Sequence, residues 1–229
     1  MKKWISLLTT LVLPVLAVLS LWSVRPVLAA PVTVNTTVDE SDGECADDCS
    51  LRDAVATAVA GDEIVIPAGT YTLTLGAITI DKDLTLRDEA GVRPEISTAV
   101  TATYRIFEIT SGASVTLTNL IITGTSSSVN VDGAALRANT IGGTVVISGT
   151  TIANHTTSAD GGGIYVRRGN VELINSMIEG NQADQGGGVY VNRDNVTLTS
   201  GEISGNEATN TGSVAGGGDT EALRSPVGA

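Results

Sequence analysis

The chain has 229 residues, a formal net charge of −12, 26 glycines and seven aromatic residues in all, two Trp, four Tyr and one Phe. An acidic balance of this size argues against nucleic acid as a partner. Two cysteines and one histidine, His155, more than a hundred residues beyond them, are too few for a structural zinc site.

Residues 1–29 read as a secretory signal: Met1-Lys2-Lys3, an almost uncharged run from Trp4 to Val24, and the small-residue exit "RPVLAA". Cleavage is expected after Ala29, since cutting one residue later would place Pro31 just past the scissile bond. Uncleaved, the same segment is long enough to anchor the chain in a bilayer, which is the one membrane contact expected. Removal takes Lys2, Lys3 and Arg25 and moves the charge from −12 to −15.

Residues 30–61 form an acidic loop followed by a capping helix. In "CADDC" (45–49) the cysteines stand four apart among Asp39, Glu40, Asp42, Glu44, Asp47 and Asp48. Export into an oxidising compartment makes Cys45–Cys49 a disulfide, and the surrounding acids oppose the thiolate that a nucleophile would need. Asp39, Asp42 and Asp47 are the candidates for a Ca²⁺ site, although the run lacks the spacing of a defined calcium loop and no cofactor is expected. In "SLRDAVATAVAG", Leu51, Ala54, Val55, Ala58 and Val59 share one helical face. Ser50 is the N-cap with Asp53 in a capping-box position, and Gly61 is expected to end the helix.

The expected solenoid spans residues 62–218. "GGGIYVRRGNVELINSMIEGN" (161–181) returns 25 residues later as "GGGVYVNRDNVTLTSGEISGN" (186–206). "VTLTNLIITGT" (115–125) and "VVISGTTIANH" (145–155) keep the frame at steps of 30 and 26. Apolar residues alternate within each repeat, as Ile164 and Val166 do around Tyr165, and too few residues remain for a helix per repeat. The fold expected is all-β: a parallel β-helix of about six rungs, its open end plugged by the helix. The closing position of the rungs, Thr125, His155, Asn181 and Asn206, is expected to stack as a polar ladder. Residues 219–229 read as an irregular tail. A third glycine triplet, Gly216 to Gly218, starts a rung that the tail does not continue, so a longer parent chain or a partner at the open C-terminal rung is expected.

"CSLRDAVATA" (49–58) with "GDEIVIPAGTYTL" (61–73) resembles the N-terminal CSLREA domain of extracellular bacterial proteins. "GGGI" (161–164), "GGGV" (186–189), "IEGN" (178–181) and "ISGN" (203–206) resemble the repeats of chlamydial polymorphic outer membrane proteins, with Ile178 and Ile203 in place of that family's Phe. Together the resemblances cover about residues 32–218. They imply a right-handed, pectate-lyase-like β-helix and a secreted or cell-surface location more firmly than any activity.

Two functional classes follow. The first is a non-catalytic, adhesin-like or structural β-helix whose partners are glycans or cell surfaces. The second is a polysaccharide lyase or glycoside hydrolase on the same fold, since fold alone does not fix function. Its candidate catalytic residues are Asp160 and Asp184, with Asp132 loosely equivalent, and Arg167 from the adjacent basic pair Arg167-Arg168. His155 holds the position of Asn in the next two rungs and reads as a ladder member instead of a base.

Overall fold

The structure is a computed structural model that describes residues 31–124 and 129–210. The expected signal segment, Thr125, the third glycine triplet and the tail lie outside the described residues. Alternating apolar residues in short runs, cut by Gly, Asn and Ser, build a parallel β-solenoid of about six turns with one short helix.

Three faces run along it. The first face stacks Val32–Thr33, Asp62–Ile66, Leu84–Asp88 and Val115–Thr118, followed by residues 145–148, 171–174 and 196–199. The second stacks Thr70–Leu73, Glu95–Thr98, Ile121–Thr123 and Thr151–Ala153, followed by residues 177–179 and 202–204. The third stacks Ile78–Ile80 and Phe107–Ile109, then residues 136–138 and 164–166, and finally Val189–Val191. Every pairing among these is parallel, so the stepwise repeat in sequence becomes vertical register in space. Val32–Thr33 already pairs with Ile64 and Val65, so the solenoid begins upstream of residue 62.

The core is continuous. Ile64, Leu86, Leu117, Ile147 and Leu173 form one buried stack, and Phe107 is fully buried between the third-face rungs. Corners turn through left-handed backbone at matching positions: Asn119, Gly149, Asn175 and Ser200 all have φ between 49° and 60°. Asn and Gly tolerate that region best, which explains the sequence texture there. Glycine is required for a different reason at 162, where a Cβ would lie 2.2 Å from the Gly187 carbonyl oxygen of the next rung.

The helix spans Leu51–Thr57, and Leu51, Ala54 and Val55 join the same core cluster as Ile64 and Ile78, covering the first rung. Ser50 Oγ accepts from the Asp53 N–H at 3.0 Å, as expected of an N-cap. The Asp53 carboxylate does not close a box on Ser50's N–H; it lies 2.8 Å from Ser50 Oγ and accepts from Gly43 N at 3.0 Å, tying the acidic loop to the helix.

Two expectations fail at the helix end. Gly61 is not its terminator: the helix stops at Thr57, whose hydroxyl donates to Asp53 O at 2.7 Å, and Gly61, at φ +93°, turns into the first long strand instead. The helix therefore ends before Val59, which is 63% exposed and not on the buried face. Lys82, the one lysine outside the expected signal, closes the C-terminus by donating to the carbonyls of Val55, Ala56 and Ala58 at 3.0–3.2 Å.

Candidate functional site

The sequence-derived candidates fall into four places: an exposed acidic loop, an internal ladder, the third face, and a separate arginine cleft. In the acidic loop, Cys45 and Cys49 form a disulfide. Asn35 fixes it, accepting from Cys49 N at 2.6 Å and donating to Asp47 O at 3.1 Å, while its own N–H donates to Cys49 O. Asp39 is not offered to a metal. Its carboxylate pairs with Arg52 (Nε to Oδ1 2.8 Å, Nη2 to Oδ2 3.1 Å) and accepts from the N–H groups of Thr74 and Leu75. Burial pushes the Asp39 carboxyl up, but the Arg52 hydrogen bond and the two backbone donors outweigh it and hold it below its usual value. Asp42 accepts from Glu44 N in a local turn, and among the described residues no three acids, Cys or His gather as a metal-binding group.

The second group is the polar ladder, which is internal. Asn181 Oδ1 accepts from His155 N at 3.0 Å, and Asn181 Nδ2 donates to Ile152 O at 3.1 Å. Asn206 repeats the pattern one rung on, accepting from Asn181 N and donating to Ile178 O. His155 follows the same rule with its ring: Nε2 lies 3.3 Å from Ile122 O, and because a carbonyl only accepts, Nε2 carries the proton. Complete burial lowers the imidazole pKa to about 4, partly opposed by that bond, so the ring is neutral at pH 7 and sealed from substrate.

A hydroxyl ladder runs parallel to it. Thr150 Oγ1 accepts from Leu120 N, and Ser176 Oγ accepts from Thr150 N while lying 2.9 Å from Ile147 O. Sequence reasoning missed this pair, although the 26-residue step joining Thr150 to Ser176 is the step joining His155 to Asn181. It ends at Gly201, where a Cβ would lie 2.1 Å from Ser176 O.

The third group lies on the third face. Outward positions alternate with the core residues, so one column reads Glu108, Arg137, Tyr165, Tyr190. Glu108 is clamped between Arg105 and Arg137, the latter at 2.7 Å. Burial and the neighbouring Arg137 lower the Arg105 pKa to about 10, with Asp132 acting in the opposite sense. Tyr165 and Tyr190 stack with ring centroids 5.3 Å apart and planes 6° from parallel, and Asn192 Nδ2 donates to the Tyr165 hydroxyl at 3.0 Å.

Just before the last three strands of this column the chain turns through Gly133, Gly161 and Gly186, and the acids at these turns form a rim. Asp132 and Asp160 are equivalent, since Gly133 N donates to Asp160 O; Gly161 N donates to Gln185 O, which makes Gln185 and not Asp184 the third member. Asp184 is displaced by one residue and meets Asn210 at 3.3 Å. Burial raises the Asp160 pKa, the charges of Asp132 and Asp184 add to the rise, and a hydrogen bond with Gln185 counters it. Burial, Asp160 and Tyr165 likewise raise Tyr190. The acidic rim and the tyrosine pair are therefore one electrostatic neighbourhood.

Arg167 is not part of that neighbourhood. It follows the strand that Asp160 precedes and lines a separate cleft of about 160 Å³ with Arg168, Asn192 and Arg193. The structure therefore keeps the candidate base apart from the candidate acids. No protein-family model, curated protein or solved structure matches this chain.

Proposed function

We propose that the chain is a secreted or cell-surface β-helix that binds glycans or other cell-surface polymers through its third face, without turning them over. The resemblance to CSLREA-domain and polymorphic outer membrane proteins supports the location. The observation that carries the binding reading is the half-buried Tyr190 ring on the third-face column, stacked in register on the buried Tyr165. Aromatic rings combine an apolar body with a polar tip, the combination that suits the C–H faces and hydroxyls of a sugar. The flanking carboxylates of Asp132 and Asp160 are acceptors for those hydroxyls. The test is a glycan array and a cell-binding assay: binding that falls roughly tenfold in Tyr190→Ala is expected, and absence of binding to every glycan and cell surface would remove the adhesive reading.

A hydrolase is the second reading, favoured by the equivalent turns that set Asp132 and Asp160 on adjacent rungs, where burial and the neighbouring Asp132 push the Asp160 carboxyl up. Release of products from pectin, alginate or a related polymer, abolished in Asp160→Asn, would establish it in place of the binding reading.

A further inference from the structure

We infer that the corner where the third face turns toward the first is an anion site, and that the glycan bound by this protein carries a carboxylate or sulfate seated between Arg167, Arg168 and Arg193. The inference rests on the glycan-binding reading and specifies the ligand class. Eight arginines lie within the described residues. Five are engaged: Arg52 with Asp39, Arg87 with Glu63, Arg105 and Arg137 with Glu108, and Arg93 with Leu120 O and Thr151. The three that remain, Arg167, Arg168 and Arg193, make no ion pair and no side-chain hydrogen bond among the described residues, and all three line one cleft.

That arrangement adds nothing to folding. Like charges close together repel, and a chain with 25 acids has ample carboxylates to pair them. The nearest acid in sequence, Asp194, is diverted: its Oδ2 accepts from Gly169 N at 2.8 Å. The fourth lining residue, Asn192, is also committed, its amide holding the Tyr165 hydroxyl at 3.0 Å. Through Asn192 the cleft is joined to the tyrosine column, so an anionic group in the cleft puts the adjoining sugar near the half-buried Tyr190. Planar guanidinium groups match carboxylate and sulfate oxygens in a two-pronged fashion. Across this face the charge changes sign, with acids before the strands and arginines after them. A ligand with hydroxyls at one end and a charge at the other fits one orientation.

The test measures retention of the purified chain on polygalacturonate, dextran sulfate and unmodified dextran, with inorganic sulfate as the free-ion control. Retention on at least one charged polymer, about tenfold above dextran and weakening with added salt, is expected. It should fall to the dextran level in Arg167→Ala/Arg168→Ala/Arg193→Ala and in the single exposed charge reversal Arg193→Glu, and be retained only in part in the triple Lys variant, which keeps the charge without the two-pronged contact. Which charged polymer is held distinguishes carboxylate from sulfate. Charged-polymer retention that persists in both arginine variants overturns the inference, as does binding of inorganic sulfate with neither polymer held. Retention on neutral glycans alone, unchanged in the variants, overturns this inference and leaves the proposed function standing. Binding to no glycan at all overturns both.

Discussion

The N-terminal clamp and the third-face corner use the same kinds of side chain to opposite ends. In the clamp every unusual residue is consumed: Arg52 by Asp39 and the carbonyls of Gly76 and Ala77, Lys82 by the helix C-terminus, Cys45 by Cys49, Asp53 by Ser50 and Gly43. At the corner, three arginines of the same chemistry have no partner among the described residues, and the half-buried Tyr190 stacks on Tyr165 beside them. The contrast separates charge that holds the fold from charge that remains for a ligand. It predicts that variants of the first region lower stability, whereas variants of the second change binding.

The largest effect belongs to Arg52→Ala. It strips the partner from a carboxylate whose side chain is 2% exposed, and loss of one member of a buried pair costs roughly 3–5 kcal/mol. Chemical denaturation checks this, and Arg52→Lys should not restore the two-pronged contact.

Asn181→Ala should follow at about 3 kcal/mol, since it leaves His155 N–H and Ile152 O unpaired inside the rod at roughly 1–3 kcal/mol each. This loss would be borne by a rung instead of the clamp, and hydrogen exchange should show it spreading to the rungs on either side.

The ladder also has a pH signature. The unfolded histidine takes up a proton below pH 6.5, whereas the folded His155 refuses one until about 4. The unfolded state therefore binds more protons in that window, and stability rises with pH from about 4 to 6.5, by about 3 kcal/mol in all. His155→Asn should flatten that rise while keeping the donor to Ile122 O; a slope equal to that of the parent chain would contradict the buried neutral ring.

Replacing both cysteines by serine should cost about 2 kcal/mol by the loop-entropy account, less than the Arg52 variant. The ordering is informative, because it places the disulfide as support for the Asp39–Arg52 clamp and not as its foundation.

Much of the rod is legible in the sequence because repetition converts directly into register. The 25-residue return of "GGGIYV" as "GGGVYV" aligns Tyr165 with Tyr190 and Asn181 with Asn206 in sequence, as the stacked rungs do in space. The helix and its Ser50 cap are legible from local pattern for the same reason: both depend on neighbours in sequence. What local reasoning could not reach are contacts across 24 to 36 residues with no repeat behind them, such as Arg52 to Gly76, Lys82 to Ala58 and Asp39 to Leu75. The helix end was misplaced because Gly61 suits a terminator, while the actual stop depends on Thr57 bonding back and on Lys82 arriving from the next turn. The arginine corner was half visible: Arg167-Arg168 is a sequence pair, but Arg193 joins it only once the rungs stack.

The central claim is that the three corner arginines are surplus to folding, and the unfolding free energy of Arg167→Ala/Arg168→Ala/Arg193→Ala tests it most directly. A value within about 0.5 kcal/mol of the parent chain, or slightly above it as repulsion is relieved, is expected. A loss of several kcal/mol, comparable to that of Arg52→Ala, would show that the fold depends on these charges after all and contradict the claim.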